Sequence, residues 1–567
     1  MVQVRKVEKM KDIVIFGSGK VAKGLLSDST YKNKITIIVD NDQNKWGQML
    51  SGVEIKSPQI LDHHSDKYYV LIMTVNEVFQ RQIENQLKEM GYEYGKNYCF
   101  AGSISATNGV PGLVSGYVPI PNGFTGIKSF DPASHLVVTS DKRIFRVVNP
   151  NYEEKYRNVL NSCRKANFFG HYLVDTKDVT KEIDGFSGQL VLEHEYVEPI
   201  TYAYEWSPAM FSDYVNFMLD FQRRLIDAGL GLSDGHILNC TLYQGHFLFL
   251  DFGAINDQVE SNDTLMNFFN THVIPLILIK RGQINKAYMM MRNTGIVFSL
   301  TDISGYLNSD EIAEANQILD HIASANDKKD VINVLDEIQD FISRLVGTYG
   351  LSVWADYQKD EWDWSSNAEK WSEKMRNVIG MEKLANPSTV IDIAGNMGWY
   401  GAFLHDDFQY SVILDIDSTS IDKLWERINI NRIRNVVPVY MSFCTPTTDY
   451  YRDDAIGKTA IIPWRQNAIE RLKSELVLAL AIVHHLVFRQ QLTFEEIIGQ
   501  IRLFCEKYLI IEFVDKEDSY LSDFKLEGFE WYTKENFESI LKRQFEIIQT
   551  KPSTPSETRQ LYFCKLK

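Results

Sequence analysis

VIDIAGNMGWYG, residues Val390 to Gly401, decides how the chain is read: a run buried on both faces of a sheet passes through a tight turn into a helix. Asp392, near the end of the predicted strand, can anchor a charged ligand. The small residues Ala394, Gly395 and Gly398 let backbone N–H groups approach it. One helix later YSVILDIDS closes a second predicted strand on Asp415, where a carboxylate can take two ribose hydroxyls. Together they outline a nucleoside-binding crevice. The turn lacks the G-x-G-x-x-G that cradles a pyrophosphate, so a ligand carrying an amino acid suits it better than one carrying phosphates.

The same strand–turn–helix grammar recurs in SELVLALAIVHHL and KYLIIEFVD, so residues 351–567 are expected to form one α/β unit, with IIGQIRLF as a core helix face. Upstream, residues 1–105 alternate strand and helix signals in DIVIFGSG, KITIIVDND and YYVLIMTV, as a parallel sheet with crossover helices requires. A Gly/Pro-rich stretch over 106–128 has no sustained period and reads as a linker. Residues 129–350 place strands first, among them a pair turned at Ser140-Asp141, and helices later, an α+β order. Three units are consistent with 567 residues, too many for one core. The predicted fold class is thus multidomain α/β.

With 44% hydrophobic, 12% aromatic and 24% charged residues, the composition is that of an ordinary globular protein, not of a disordered or collagen-like chain. The net charge of −16 disfavours a nucleic-acid backbone as main partner and fits neutral sugars or small molecules better than polyanions, leaving room only for a local basic groove. The six cysteines form no C-x-x-C pair and read as reduced thiols in a cytoplasmic protein. The opening MVQVRKVEKMKDIVIFGSGK lacks a signal-peptide h-region, and the runs Val273–Ile279 and Leu476–Val483 are too short to span a membrane. No transmembrane segment is expected.

With DIAGNMG in the place of a D-x-G-x-G-x-G turn, the third block resembles the class I S-adenosylmethionine (SAM)-dependent methyltransferases, Ala394 and Asn396 standing for the first two glycines. Over almost all of the last 450 residues it is similar to a bacterial subgroup that includes a rhizobial nodulation methyltransferase, through ITYAYEWSP, VWADY, AGNMG, LALAIVHHL, LIIEFVDKEDS and YTKENFESIL. The resemblance implies SAM as cofactor, Asp415 on its ribose, and contacts from Gly395, Asn396 and Gly398. It departs at SFCTP, where Ser442 stands at a position commonly held by an adenine-contacting carboxylate. His484 and His485 are expected at the end of the fourth strand. One of them reads as a general base for a hydroxyl, or else both cap the strand and orient neighbours. Glu512, with Lys516 and Asp518, is a further candidate, and a solvated charged loop is the alternative. Trp354 and Tyr357 read as a lid or as interdomain packing.

The second block carries Asp234, Asn239 five residues on, and Asp251-Phe252-Gly253, resembling the D-x-x-x-x-N and D-F-G of protein kinases and small-molecule phosphotransferases. The resemblance implies a protein-kinase-like domain with Asp234 as proton acceptor and Asn239 and Asp251 holding Mg²⁺ against ATP. The strand that should carry a phosphate-binding lysine offers Arg146, for which Glu153 or Glu154 is the expected partner. A catalytically silent nucleotide-binding or structural domain is the alternative. In the first block Gly17, Gly19 and Gly24 with Asp40 form a loose nucleotide-binding pattern. There GSGKVAKGLL with VDNDQNKWG resembles the small Rossmann-like domains fused to bacterial surface-glycan transferases.

The expectation is a SAM-dependent methyltransferase acting on oxygen of a carbohydrate or its phosphate. The alternatives are a bifunctional kinase-methyltransferase and a non-catalytic scaffold. The partners expected are a small-molecule or glycan acceptor and glycan-assembly enzymes, with no nucleic acid.

Overall fold

The computed structural model describes residues 12–100 (without 20–21, 24–25, 27–34, 75–76 and 94–96), 124–127, 133–347 (without 187–188, 259–261 and 293–297), 352, 354 and 371–567 (without 448–449, 454–457, 462–465 and 523). The first sheet contains β1 (Asp12–Phe16), β2 (Ile35–Val39), β3 (Met49–Leu50), β4 (Val53–Lys56), β5 (Tyr68–Ile72) and β6 (Tyr98–Phe100) in the order β3-β4-β2-β1-β5-β6. All its pairs are parallel except β3 with β4, and helix α1 (Glu77–Glu89) connects β5 to β6. Most of Ala106–Gly126 and Gly24 lie outside the described residues.

A second sheet is antiparallel throughout: β7 (Phe124–Ile127), β8 (Ser134–Thr139), β9 (Ile144–Val148), β10 (Thr176–Asp178) and β11 (Val191–His194), ordered β10-β11-β9-β8-β7. Helix α2 (Glu153–Lys165) follows β9, and the long helix α3 (Pro208–Asp227) follows β11. The short ladder β12 (Gly231–Leu232) with β15 (Ile255–Asn256) brackets the hairpin β13 (Cys240–Tyr243) and β14 (His246–Phe249). The hairpin turns on Gln244 and Gly245, both at positive φ, the twist that suits a two-residue loop. Helices then dominate to residue 344.

The third sheet holds β16 (Thr389–Ile393), β17 (Tyr410–Asp415), β18 (Val436–Tyr440), β21 (Ser474–Ala479), β22 (Cys505–Val514), β23 (Phe545–Pro552) and β24 (Arg559–Leu566). The hairpin β19 (Tyr450–Asp453) and β20 (Lys458–Ile461) stands apart from it. The order is β18-β17-β16-β21-β22-β24-β23, parallel until β24 runs antiparallel against β22 and β23. Counted within this sheet that is 3-2-1-4-5-7-6, the strand order of class I methyltransferases, and it differs from the dinucleotide-binding order by its reversed last strand. Every residue of β16 and β17 is buried because helices cover both faces, among them α4 (Glu373–Ala385), α5 (Ser418–Asn431), α6 (Val483–Gln490) and α7 (Phe494–Phe504). Helix α7 starts in a Thr493/Glu496 capping box and turns Phe494, Ile497, Ile498, Ile501 and Phe504 inward, the apolar face of IIGQIRLF.

One buried cluster runs from the central helices into the third sheet. The join is made by ITYAYEWSP: Glu205, fully buried, takes Arg471 of the third unit at 2.6 and 3.1 Å and the Thr447 hydroxyl. Arg471 lies 4.4 Å over the Tyr202 ring. Asp422 of α5 accepts from Ala209 N at 2.8 Å, satisfying a free N–H at the start of α3, and Trp425 Nε1 donates to Asp213 at 2.8 Å. Burial pushes Asp422 up to about 6 against these hydrogen bonds. Among the described residues no helix is long and apolar enough to cross a membrane.

Candidate functional site

The carboxyl ends of β16 and β17 meet at the turn Ala394–Gly398. Ala394, Asn396 and Gly398 all have positive φ (56°, 51° and 77°), so the alanine and asparagine adopt the left-handed conformation for which glycine is the usual choice. Gly395 and Gly401 are required by packing. A Cβ on Gly395 would sit 2.8 Å from Asp392 Cγ, and one on Gly401 would sit 2.5 Å from Asp392 Cβ. Asp392 is buried and accepts from Gly401 N at 3.0 Å, so it braces the turn from beneath. Burial pushes it up to about 7, with the nearby Asp415 adding to the rise and the Gly401 N–H opposing it.

Asp415 closes β17 and draws the turn to it. Asn396 N donates to one carboxylate oxygen and Asp417 N to the other, both at 2.8 Å, and burial pushes the group up to about 6. The Asn396 amide donates to Ser420 Oγ and to the Trp354 carbonyl, each at 3.0 Å, so Trp354 lies across the turn. The Trp354 ring meets His485 edge-on at 5.4 Å, with the Arg489 guanidinium 5.5 Å from its centroid. Trp354 thus bridges the turn and the helix after β21. Tyr357 lies outside the described residues.

His484 and His485 do not end the fourth strand. β21 stops at Ala479, and both histidines stand in the first turn of α6. Their rings are 4.3 Å apart and face Tyr520 and Phe524. His484 is buried, and among the described residues neither of its nitrogens has a hydrogen-bond partner. Burial, then the neighbouring His485 and Arg559, pushes it down to about 3, and burial with Arg489 and Arg559 takes the half-buried His485 to about 4. Both are neutral near pH 7. Ser442 follows β18 and is half-buried.

Glu512 does not lie in a solvated loop: it is fully buried on β22, accepting from Lys374 Nζ at 2.6 Å, from Ala481 N at 2.8 Å and from Ser553. It ties α4, the loop after β21 and the β23–β24 turn together. Asp518 is held well below the usual carboxylate range, chiefly by Arg559 at 2.8 and 3.0 Å, and Lys516 reaches the Glu530 carbonyl at 3.3 Å. Lys374 and Glu382 were not expected. Both carboxyl oxygens of Glu382 are buried without a hydrogen-bond partner, and burial together with Asp392 pushes the group well above its ordinary value. Their signal is two charged residues on the apolar stripe of α4, where Lys374, Val378 and Glu382 recur four apart and are all buried.

In the central unit Arg146 on β9 is buried and pairs with Asp251 at 2.7 Å, not with Glu153 or Glu154. Glu153 instead binds Arg157 at 2.9 Å. Arg146 Nη1 donates to Ser134 Oγ at 2.8 Å and Nε to His194 Nε2 at 3.3 Å. The His194 proton therefore sits on Nδ1, facing Thr176 Oγ1 at 2.8 Å. Gly253 N also donates to Asp251, and a Cβ on Gly253 would meet Arg146 Nη1 at 2.3 Å. Asp234 is exposed and accepts from His236 N at 3.0 Å, while the Asn239 amide donates to the Asp234 carbonyl at 3.1 Å. Asn239 thus spends its amide N–H, and Asp251 one of its two carboxylate oxygens, on protein partners. Among the described residues no three His, Cys, Asp or Glu side chains gather as a metal site.

In the first unit Gly17 has φ 101° and Gly19 is exposed. Asp40 accepts from Ser18 N at 2.9 Å and from Lys45 at 3.2 Å. Burial works to raise its pKa, but these hydrogen bonds outweigh it and hold the carboxyl below its ordinary value.

Residues 9–97 match the family described as C2185-like, N-terminal. The chain is 25% identical over 474 residues to nodulation protein NoeA of Rhizobium meliloti, a match that covers 78% of this chain and 96% of that protein. Among solved structures it is similar to the N-methyltransferase NodS from Bradyrhizobium japonicum in complex with S-adenosyl-L-homocysteine. There the identity is 10%, the TM-score is 0.25, and 38% of this chain and 99% of that one are covered. Magnesium protoporphyrin IX methyltransferase from Synechocystis with bound SAM is 12% identical with a TM-score of 0.26, over 43% of this chain and 99% of that one. At the carboxyl edge of the parallel sheet the left-handed turn and the buried Asp415 carboxylate thus meet, with Trp354 linking them to His485.

Proposed function

We propose that the chain is a SAM-dependent methyltransferase that methylates oxygen on a carbohydrate or sugar phosphate. The observation that carries this reading is the junction of the Ala394–Gly398 turn with Asp415, a buried carboxylate at the end of the adjacent parallel strand. The fit is good: Asp415 has lone pairs left after its two backbone hydrogen bonds and can accept from ribose hydroxyls, while the turn offers backbone groups to the amino-acid end. When bound, SAM supplies an electrophilic methyl group. The chain's residues then orient and shield. Trp354 lies across the turn beside His485, positioned to cover the crevice and exclude water. His485, half-buried and neutral, is the base we assign to the acceptor hydroxyl; His484 behind it is the second candidate. In-line positioning carries most of the rate.

The test is calorimetric titration of the full chain with SAM and S-adenosylhomocysteine. We expect Asp415→Ala to weaken both by at least about tenfold, since it removes hydrogen bonds to a charged group. Affinity in the wild type should also fall as pH drops through about 6, where Asp415 takes up a proton, and Asp415→Asn should flatten that dependence. Absence of SAM binding overturns the reading. Transfer of labelled methyl from SAM to glycan extracts, lost in His485→Gln with binding retained, tests the base.

The coupled kinase-methyltransferase scheme is less favoured. Arg146 already pairs with Asp251, the carboxylate this scheme assigns to Mg²⁺, and an arginine held there is no like-for-like replacement for a phosphate-binding lysine. We read the central unit, kinase-like in its strand order and motifs, as a structural or binding module. Labelled ATP should yield no phosphorylated glycan.

A further inference from the structure

Away from the crevice, an open groove of about 740 Å³ runs along the junction of the central and third units. Its floor is aromatic: Tyr172 and Phe217 stack at 5.7 Å with their planes 16° apart. At one side Asp220 accepts from Tyr172 OH at 2.6 Å and from Arg224 Nε at 2.8 Å, which leaves the pair fixed and half exposed. Across from them stands Arg434 of the third unit, exposed and, among the described residues, without a hydrogen-bond or ion-pair partner. His246 also lines the groove, and its Nε2 has no partner either. Two arginines against one carboxylate give this groove a positive balance on a chain of net charge −16.

We propose that this groove binds a segment of an acidic saccharide chain, one carrying carboxylate, sulfate or phosphate groups. The volume lies within the range of ordinary ligand sites, and the groove opens to solvent rather than forming a closed cavity, which a polymer segment requires. The half-buried Phe217 ring offers an apolar surface to the C–H face of a pyranose, beside a Tyr172 ring that carries the Arg224 guanidinium 5.1 Å from its centroid. The fixed Asp220–Arg224 pair offers an acceptor and donors to hydroxyls, and the unpaired Arg434 guanidinium takes the acidic group in a bidentate manner. The walls belong to two units locked by the buried Glu205–Arg471 pair, so the groove is preformed.

Arg434 precedes β18, whereas the proposed SAM crevice lies at the opposite, carboxyl end of these strands. Five residues at about 3.3 Å each separate the two by roughly 17 Å. The groove therefore anchors a chain at a distance from the reacting sugar. What the anchor serves rests on the methyltransferase reading; whether it binds does not.

Calorimetry on the full chain with hexagalacturonate, sulfated maltohexaose, neutral maltohexaose and ATP tests this. We expect one or both acidic oligosaccharides to bind, neutral maltohexaose to bind at least about tenfold more weakly, and Arg434→Glu to cost at least about tenfold with the thermal midpoint unchanged. The two acidic probes separate carboxylate from sulfate recognition. Phe217→Leu, which keeps apolar bulk but removes the flat face, should weaken binding several-fold. The proposal is overturned if neither acidic probe binds, if Arg434→Glu binds as the wild type does, or if ATP alone binds and is lost in that variant. SAM binding without saccharide binding sinks the groove alone; saccharide binding without SAM binding sinks the methyltransferase reading alone.

Discussion

Asp392 and Glu382 are both buried acidic groups, and Asp392 adds to the rise that burial imposes on Glu382. The sign of their effect on stability follows from linkage. Asp392 titrates near 7 in the folded chain and near 3.8 when unfolded, so over that window the folded state keeps a proton that the unfolded state releases, and stability falls as pH rises. Asp392→Asn keeps an acceptor for Gly401 N and abolishes the titration. The wild type should lose on the order of 4 kcal/mol between pH 4 and 8 from this group, a slope absent from the variant in urea unfolding at several pH values. An identical pH dependence in both proteins would disprove the assignment. The sequence marks Asp392, Asp415 and the turn because their spacing along strand, turn and helix is local. For Glu382 it offers only a charged residue on an apolar stripe; the neighbour Asp392 is brought to it only when α4 covers β16.

At the scale of elements, short-range patterns were legible and contacts between them were not. The Ser140-Asp141 hairpin, the β13–β14 hairpin and the apolar face of α7 follow from turn residues and periodicity. The two histidines slipped from strand end to helix start because LALAIVHHL is apolar throughout and gives no signal where β21 stops. Gly245 shows both levels at once. Its positive φ is a hairpin requirement readable from Gln-Gly, but a Cβ there would also stand 2.5 Å from the Ile433 carbonyl oxygen, in another unit. Gly245→Ala should therefore cost about 2 kcal/mol or more in urea unfolding, beyond the price of strain in an isolated turn. Gly47→Ala, at positive φ with open space around it, should cost less.

For the whole molecule, the central and third units behave as one body held by ITYAYEWSP. Removing Arg471 leaves Glu205 buried and uncompensated, so Arg471→Ala should destabilise by about 3–5 kcal/mol, while the paired change Glu205→Leu with Arg471→Met should recover most of it. Separate unfolding of the two units in the wild type by calorimetry would contradict this account. It also explains why the similarity to the nodulation-protein subgroup runs across both units: ITYAYEWSP builds their interface and not a reaction site. The −16 net charge, read over the whole chain, pointed to neutral acceptors, yet the groove at the junction carries two arginines to one carboxylate. A sum over a surface does not describe a concave part of it.

By itself the sequence determined the strand–turn–helix units, the tight turn after β16 and the carboxylate closing β17, since each is set by turn residues and periodicity within some twenty-five residues. Only the tertiary structure decided which charges meet. Arg146 finds Asp251 across 105 residues and Arg471 finds Glu205 across 266, pairings for which sequence spacing offers no rule. They fix how strands and units are held against one another, because a buried ion must be matched by whatever counter-charge the fold brings to it.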